Sequence, residues 1–177
     1  MFHIFLSRIG GHFGTESKEH KHVDSLYVMI LVIQPADFAL NFIFFMEKKM
    51  NIIVDGSFTK ILFSDDSMIM NGIFIDIAFQ SFVKHFSSRN VIQIDSDANR
   101  ELINTIANIE CGVIDYYIRY FNVTNKTPVY SLKTSLSNGD IKYYKGTTIG
   151  HHKYYIKISG VWETHNELGV TYKMVEY

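Results

Sequence analysis

One stretch limits what the rest of the chain can fold into. In DANRELINTIANIECGVIDYYIRYF, residues 97 to 121, the apolar side chains Leu102, Ile106, Ile109, Val113 and Tyr117 return at helical spacing, flanked by Ile103, Ile114 and Ile118. Asp97 stands where a cap would, and Glu101 lies in the first turn, where the helix dipole favours an acid. Cys111 falls off the main apolar row and reads as a packing residue. On either side of this segment the period drops to two, so one long helix has to be accommodated among strands.

The strand punctuation is clear. Asp55-Gly56 separates apolar runs, Phe58 to Phe63 alternates, and Asp65-Asp66-Ser67 makes the next turn. MIMNGIFIDIAF reads as a long strand with a bulge at Asn71-Gly72, and residues 91 to 94 as a short one. After Pro128 the spacing predicts strands in VYSLKTSL, IKYYK, HKYYIKISGVW and VTYKMVEY, joined by Asn138-Gly139-Asp140, GTTIG and THNELG. Three strands, one helix, then three or four strands is a mainly β, α+β order. It is the layout of an OB-fold-like Greek-key barrel of five to seven strands with one long helix in the middle, a fold whose open face takes oligonucleotides.

The first 45 residues read differently, as an N-terminal extension ahead of a domain spanning 46 to 177, with Met46 and Met50 at the junction. Residues 26 to 45 approach the length of a bilayer span, but Asp37 in their midst costs about 3 kcal/mol on insertion scales. No membrane partner is expected. His12, His20 and His22 in this extension read as solvated side chains and His151-His152 as a source of pH-dependent positive charge. Cys111 is the single cysteine, so no intramolecular disulfide forms and no cysteine-based zinc site closes; a reducing, intracellular place is the expectation.

A net charge of -1 conceals a strong asymmetry. Residues 119 to 162 carry 7 basic and 1 acidic side chain, a local +6, whereas residues 46 to 118 carry 6 and 10, a local -4. A local excess of this kind attracts polyanions. Strand alternation then sorts the island into faces. Tyr154, Ile156, Ile158, Gly160 and Trp162 share the inward parity, unless a bulge at Gly160 turns Trp162 outward. Lys153, Tyr155 and Lys157 share the outward one, and Lys142, Tyr144 and Lys173 match it on neighbouring strands, with Lys145 at the end of its run. Cations along a backbone path, interleaved with rings on which bases stack, are what a single strand of nucleic acid requires. Surface lysines and tyrosines on strands also serve solubility and β-propensity alone, so the pattern by itself is weak.

The pieces DGSFTKILFS, MNGIFIDIAF, ELINTIANIE and YYIKISGVWETHNELGVTYKMVEY resemble a family of small uncharacterised proteins of nucleocytoplasmic large DNA viruses. That family is in turn similar to viral and phage single-stranded-DNA-binding OB-fold proteins. The resemblance covers residues 50 to 177 and implies that Lys153 to Glu163 and Gly169 to Tyr177 form a closing hairpin. It also implies a role in viral replication or repair, alongside viral replication proteins, in host cytoplasm or a viral factory. The acidic C-terminal tail by which some phage members dock partners has no counterpart within residues 163 to 177.

Two other readings compete. NIIVDGSF followed by ANRELINTIANIE resembles ribonuclease H, which would make Asp55 and Glu101 metal ligands, although the third carboxylate that two metal ions need is lacking after the helix. A non-enzymatic protein-interaction module is the other. The reading that best fits the residues is a protein binding single-stranded DNA or RNA with low sequence specificity, without cofactor and without catalysis.

Overall fold

The computed structural model describes residues 2–9, 26–51, 55–80, 82–86, 90–145 and 153–177. Before the long helix lie β1 (Phe2–Ile9), β2 (Leu26–Ile33), β3 (Ile43–Phe45), β4 (Lys49–Asn51), β5 (Gly56–Ser64), β6 (Ile69–Met70), β7 (Ile73–Ile77), β8 (Phe82–Phe86) and β9 (Asn90–Ile94). Helix α1 (Arg100–Phe121) follows, then β10 (Thr127–Val129), α2 (Ser131–Asn138), β11 (Asp140–Lys145), β12 (Tyr154–Glu163) and β13 (Glu167–Glu176). The described residues are mostly β, with two α-helices against a sheet of many strands. Among the described residues the sheet has 13 strands instead of the five to seven expected, and its order runs β1-β2-β7-β12-β13-β11-β9-β8. The surplus arises because long strands are shared by short ones: β12 pairs with β7 over one half and β5 over the other, and β5 also takes β3, β4 and β6.

The closing hairpin forms as the sequence implies, with β12 antiparallel to β13 from Tyr154↔Glu176 to Glu163↔Leu168. The far edge of β13 holds β10 and β11, both parallel to it. Helix α1 packs Ile106, Ile109, Val113, Ile114 and Tyr117 into a core with Ile73, Ile75, Ile156, Ile158, Val170 and Met174. Each such fully buried aliphatic side chain contributes about 2 kcal/mol. Asp97 does not cap α1; Asp95 accepts the Asp97 and Ala98 N–H groups instead, and Asp97 pairs with Arg100 at 2.6 Å.

VYSLKTSL was expected as a strand, and the correction is α2. Leu132 and Leu136 are both fully buried. A spacing of four puts side chains on one face of a strand and of a helix alike, so apolar pattern could not choose. The choice is made from α1: Glu110, itself buried, accepts the Leu132 N–H at 2.9 Å and the Lys133 N–H at 2.8 Å, closing the first turn of α2 with a carboxylate. Glu110→Ala is expected to cost about 2 kcal/mol, because it leaves buried N–H groups without an acceptor. Thermal unfolding checks this, with a fall in Tm of roughly 4 to 8 °C.

The division expected at Met46 falls inside the packed domain. Val32, Ile33 and Ile43 are buried, and β3 pairs with β5. Phe45 lies 5.1 to 5.7 Å, ring centre to ring centre, from Tyr116, Tyr117, Tyr120 and Phe121. Residues 31 to 45 thus hold the C-terminal half of α1 against the sheet. No helix among the described residues is long and apolar enough to cross a membrane.

Candidate nucleic-acid interface

The face of the sheet turned away from α1 is set by an irregularity in β12. Its register with β13 shifts between Ile158 and Gly160, so Ile158 and Val161 both enter the core and Trp162 turns outward. The outward positions then line up across strands. Phe58, Trp162 and Gly169 make one row, and Lys60, Gly160 and Thr171 the next. Phe74, Lys157 and Lys173 make a third. Two glycines let rings settle on the sheet. A β-carbon at Gly169 would stand 2.8 Å from Trp162 Cζ2, and one at Gly160 2.5 Å from Phe58 Cζ. Trp162 is fixed further by its indole N–H, which donates to the Val170 carbonyl at 3.2 Å.

Three cations meet in the middle of this face. Lys157 and Lys173 are direct cross-strand partners, and Lys60 stands on the other side of β12. Burial, followed by the charges of Lys173 and Lys60, holds the Lys157 ammonium below the usual lysine range. Its Nζ lies 4.7 Å from the centre of the Phe74 ring. Among the described residues no carboxylate pairs with Lys60, Lys157 or Lys173. The nearby acid of the outer face, Asp76, accepts from Gln34 Nε2 at 2.9 Å and from the Tyr177 hydroxyl at 3.1 Å.

The residues expected to form the interface are brought together only in part. Lys142, Lys153 and Lys173 are exposed, and Tyr144 is 61% exposed with Lys173 Nζ 6.0 Å from its ring centre. Tyr155 is a correction. It has the outward parity but is only 8% exposed, because Val32, Val175 and Tyr177 pack around it and Phe74 lies beside it. No base can stack on it. Lys145 pairs with Glu176 in the ladder, and its side chain, like His151-His152 and the GTTIG loop, lies outside the described residues, as do His12, His20 and His22. Lys60 and Phe58 were not singled out by the sequence, whereas the outward Trp162 is the outcome that a bulge at Gly160 allowed. Lys60 lies outside the basic island, 97 residues before Lys157, and the readable signal for Phe58 was Gly160.

Below the outer face, the end of β12 is anchored by a buried charge. Glu163, 5% exposed, takes Lys48 Nζ at 2.5 Å on one oxygen and Lys126 Nζ at 2.8 Å on the other. The Tyr117 hydroxyl donates to it at 2.5 Å and lies 2.9 Å from Thr59 Oγ1. Burial pushes the Glu163 carboxyl up, but Lys126, Lys48 and Tyr117 outweigh it and hold the carboxyl at about 2. Burial and the Glu163 carboxylate push the Tyr117 hydroxyl up.

The ribonuclease H pairing is not assembled. Asp55 lines the same cleft as Glu163, at the Tyr117 end of α1, while Glu101 is 16 residues up that helix, about 24 Å away. Among the described residues no group of three or more His, Cys, Asp or Glu side chains is placed to hold a metal ion. Comparisons of the chain with protein-family models, with curated proteins and with solved structures found no match.

Proposed function

We propose that this chain binds single-stranded nucleic acid with low sequence specificity on the outer face built by β5, β12, β13 and β11. One observation carries the reading: Lys157 and Lys173 stand directly opposite each other, beside Lys60, and among the described residues no carboxylate pairs with any of them. Like charges facing each other across strands destabilise a sheet. A phosphate backbone lying along the row offsets that repulsion, and the outward rings of Trp162, Phe58 and Tyr144 offer surfaces on which bases of any identity stack. We read the sheet as OB-like because one long helix enters between the early and late strands and packs beneath the β12–β13 hairpin. The resemblance to proteins of large DNA viruses favours DNA as the ligand and viral replication or repair as the setting.

Salt dependence separates this reading from a protein-interaction module. With Lys60, Lys142, Lys157 and Lys173 on the phosphates, the logarithm of the affinity for an oligothymidylate should fall with the logarithm of salt at a slope of about -3. Fluorescence anisotropy measures it. Absence of binding at low salt, or a slope near zero, defeats the proposal.

A further inference from the structure

Two clefts open at the ends of the lysine row, and together they give the bound strand a path. One, about 320 Å³, lies where β11 and α2 meet β13 and is lined by Asp140, Lys142, Tyr144, Tyr172 and Lys173. The other, about 380 Å³, lies at β4 and β5 and is lined by Met46, Glu47, Lys49, Phe58 and Lys60. Lys173 belongs to the first and Lys60 to the second, with Lys157 between them. Each cleft also holds one carboxylate and an aromatic ring, Asp140 with Tyr144 and Glu47 with Phe58. A carboxylate repels phosphate but accepts hydrogen bonds from the amino and ring N–H groups of bases. Lys157 lies between the clefts and lines neither, and among the described residues no carboxylate pairs with it, so the path runs from one base site over phosphate contacts to a second base site.

We infer that a single strand crosses the sheet obliquely, with one unstacked base in the Tyr144 cleft, another in the Phe58 cleft, and the intervening phosphates on Lys173, Lys157 and Lys60. This rests on the proposed nucleic-acid binding and adds to it a direction and a length. From β11 to β5 the path crosses β13 and β12, three strand spacings or about 14 Å. Along the strands it runs from the level of Val175, beside Tyr144, to that of Gly169, in the row of Phe58, about 20 Å, so the diagonal is about 24 Å. That span corresponds to about four to six nucleotides, toward the lower end of the range for one such module.

The test is a length series of oligothymidylates from about two to about twenty nucleotides, measured by calorimetry at low salt, with the intact chain and two variants. Affinity per site is expected to climb steeply up to about four to six nucleotides and then to level off. Tyr144→Ala and Phe58→Leu, the latter keeping apolar cover over Gly160, should each weaken binding of a six-nucleotide strand about tenfold. Melting temperatures report whether each variant is folded. An affinity that rises smoothly with length without a plateau, or either variant binding six nucleotides as the parent does, overturns the two-cleft path. Should the parent fail to bind even the twenty-nucleotide strand, the nucleic-acid reading itself falls with it.

Discussion

Lys60→Glu combined with Lys173→Glu is expected to weaken retention of single-stranded DNA by at least about 100-fold near 0.1 M salt, because two phosphate contacts are lost and two repulsions are introduced. The slope of binding against salt should fall from about -3 to about -1. The same variant should melt no lower than the parent. Lys157 is held below its usual range by burial and then by the positive charges of Lys173 and Lys60. Reversing both neighbours turns two repulsions on a half-buried ammonium into attractions. A loss of function without a loss of stability is the signature of a surface kept charged for a ligand. Arg100→Glu with Arg119→Glu, on the exposed side of α1, makes the same change in net charge away from this face and should leave most of the binding intact. Retention by the lysine variant within about threefold of the parent would show that the row holds no phosphate.

The second large effect concerns stability. Glu163→Gln is expected to destabilise the fold by about 3 kcal/mol, because Lys48 and Lys126 would be left around a neutral, buried amide. For a chain of this size that is a fall in Tm of roughly 6 to 12 °C. The pH dependence follows from the same geometry. The folded carboxyl titrates at about 2, against an ordinary glutamate value of 4.5, so the unfolded chain takes up this proton first as the pH drops. The stabilisation is complete above about pH 4.5 and is lost as the pH falls toward about 2. Unfolding in urea at a series of pH values should show that loss in the parent and not in Glu163→Gln. Equal acid sensitivity in both would remove Glu163 from the account.

Much of this molecule can be read along the chain, and the failures have identifiable causes. The β12–β13 hairpin was legible because Tyr154, Ile156 and Ile158 alternate with Lys153 and Lys157, and a slip of one residue would bury the lysines. Helix α1 was legible because its apolar residues have a spacing no strand can use. Helix α2 was not, since Leu132 and Leu136 suit either element and the deciding group, Glu110, comes from 22 residues away. The packing of residues 31 to 45 was hidden for a similar reason: Phe45 meets four rings of α1 that lie some 71 to 76 residues later.

The interface divides along the same line. Lys142, Tyr144 and Lys157 followed from parity and a local charge excess, and Lys173 from parity alone, all of them properties of neighbouring residues. Lys60 and Phe58 join them only because β5 shares β12 with β7, which is a property of topology. Tyr155 failed in the opposite sense. Parity gave it the right face, yet Val32 from the segment set aside as an extension closes over it.

The most direct measurement is a titration of the isotopically labelled protein with a short oligothymidylate, followed through its backbone amide signals. Shifts should concentrate at residues 58–60, 157–162 and 169–173, extend to Lys142 and Tyr144, and leave the exposed side of α1 unmoved. Shifts centred on α1 or on the β8–β9 hairpin, or no shifts at all, would contradict the assignment of this face to a nucleic-acid strand.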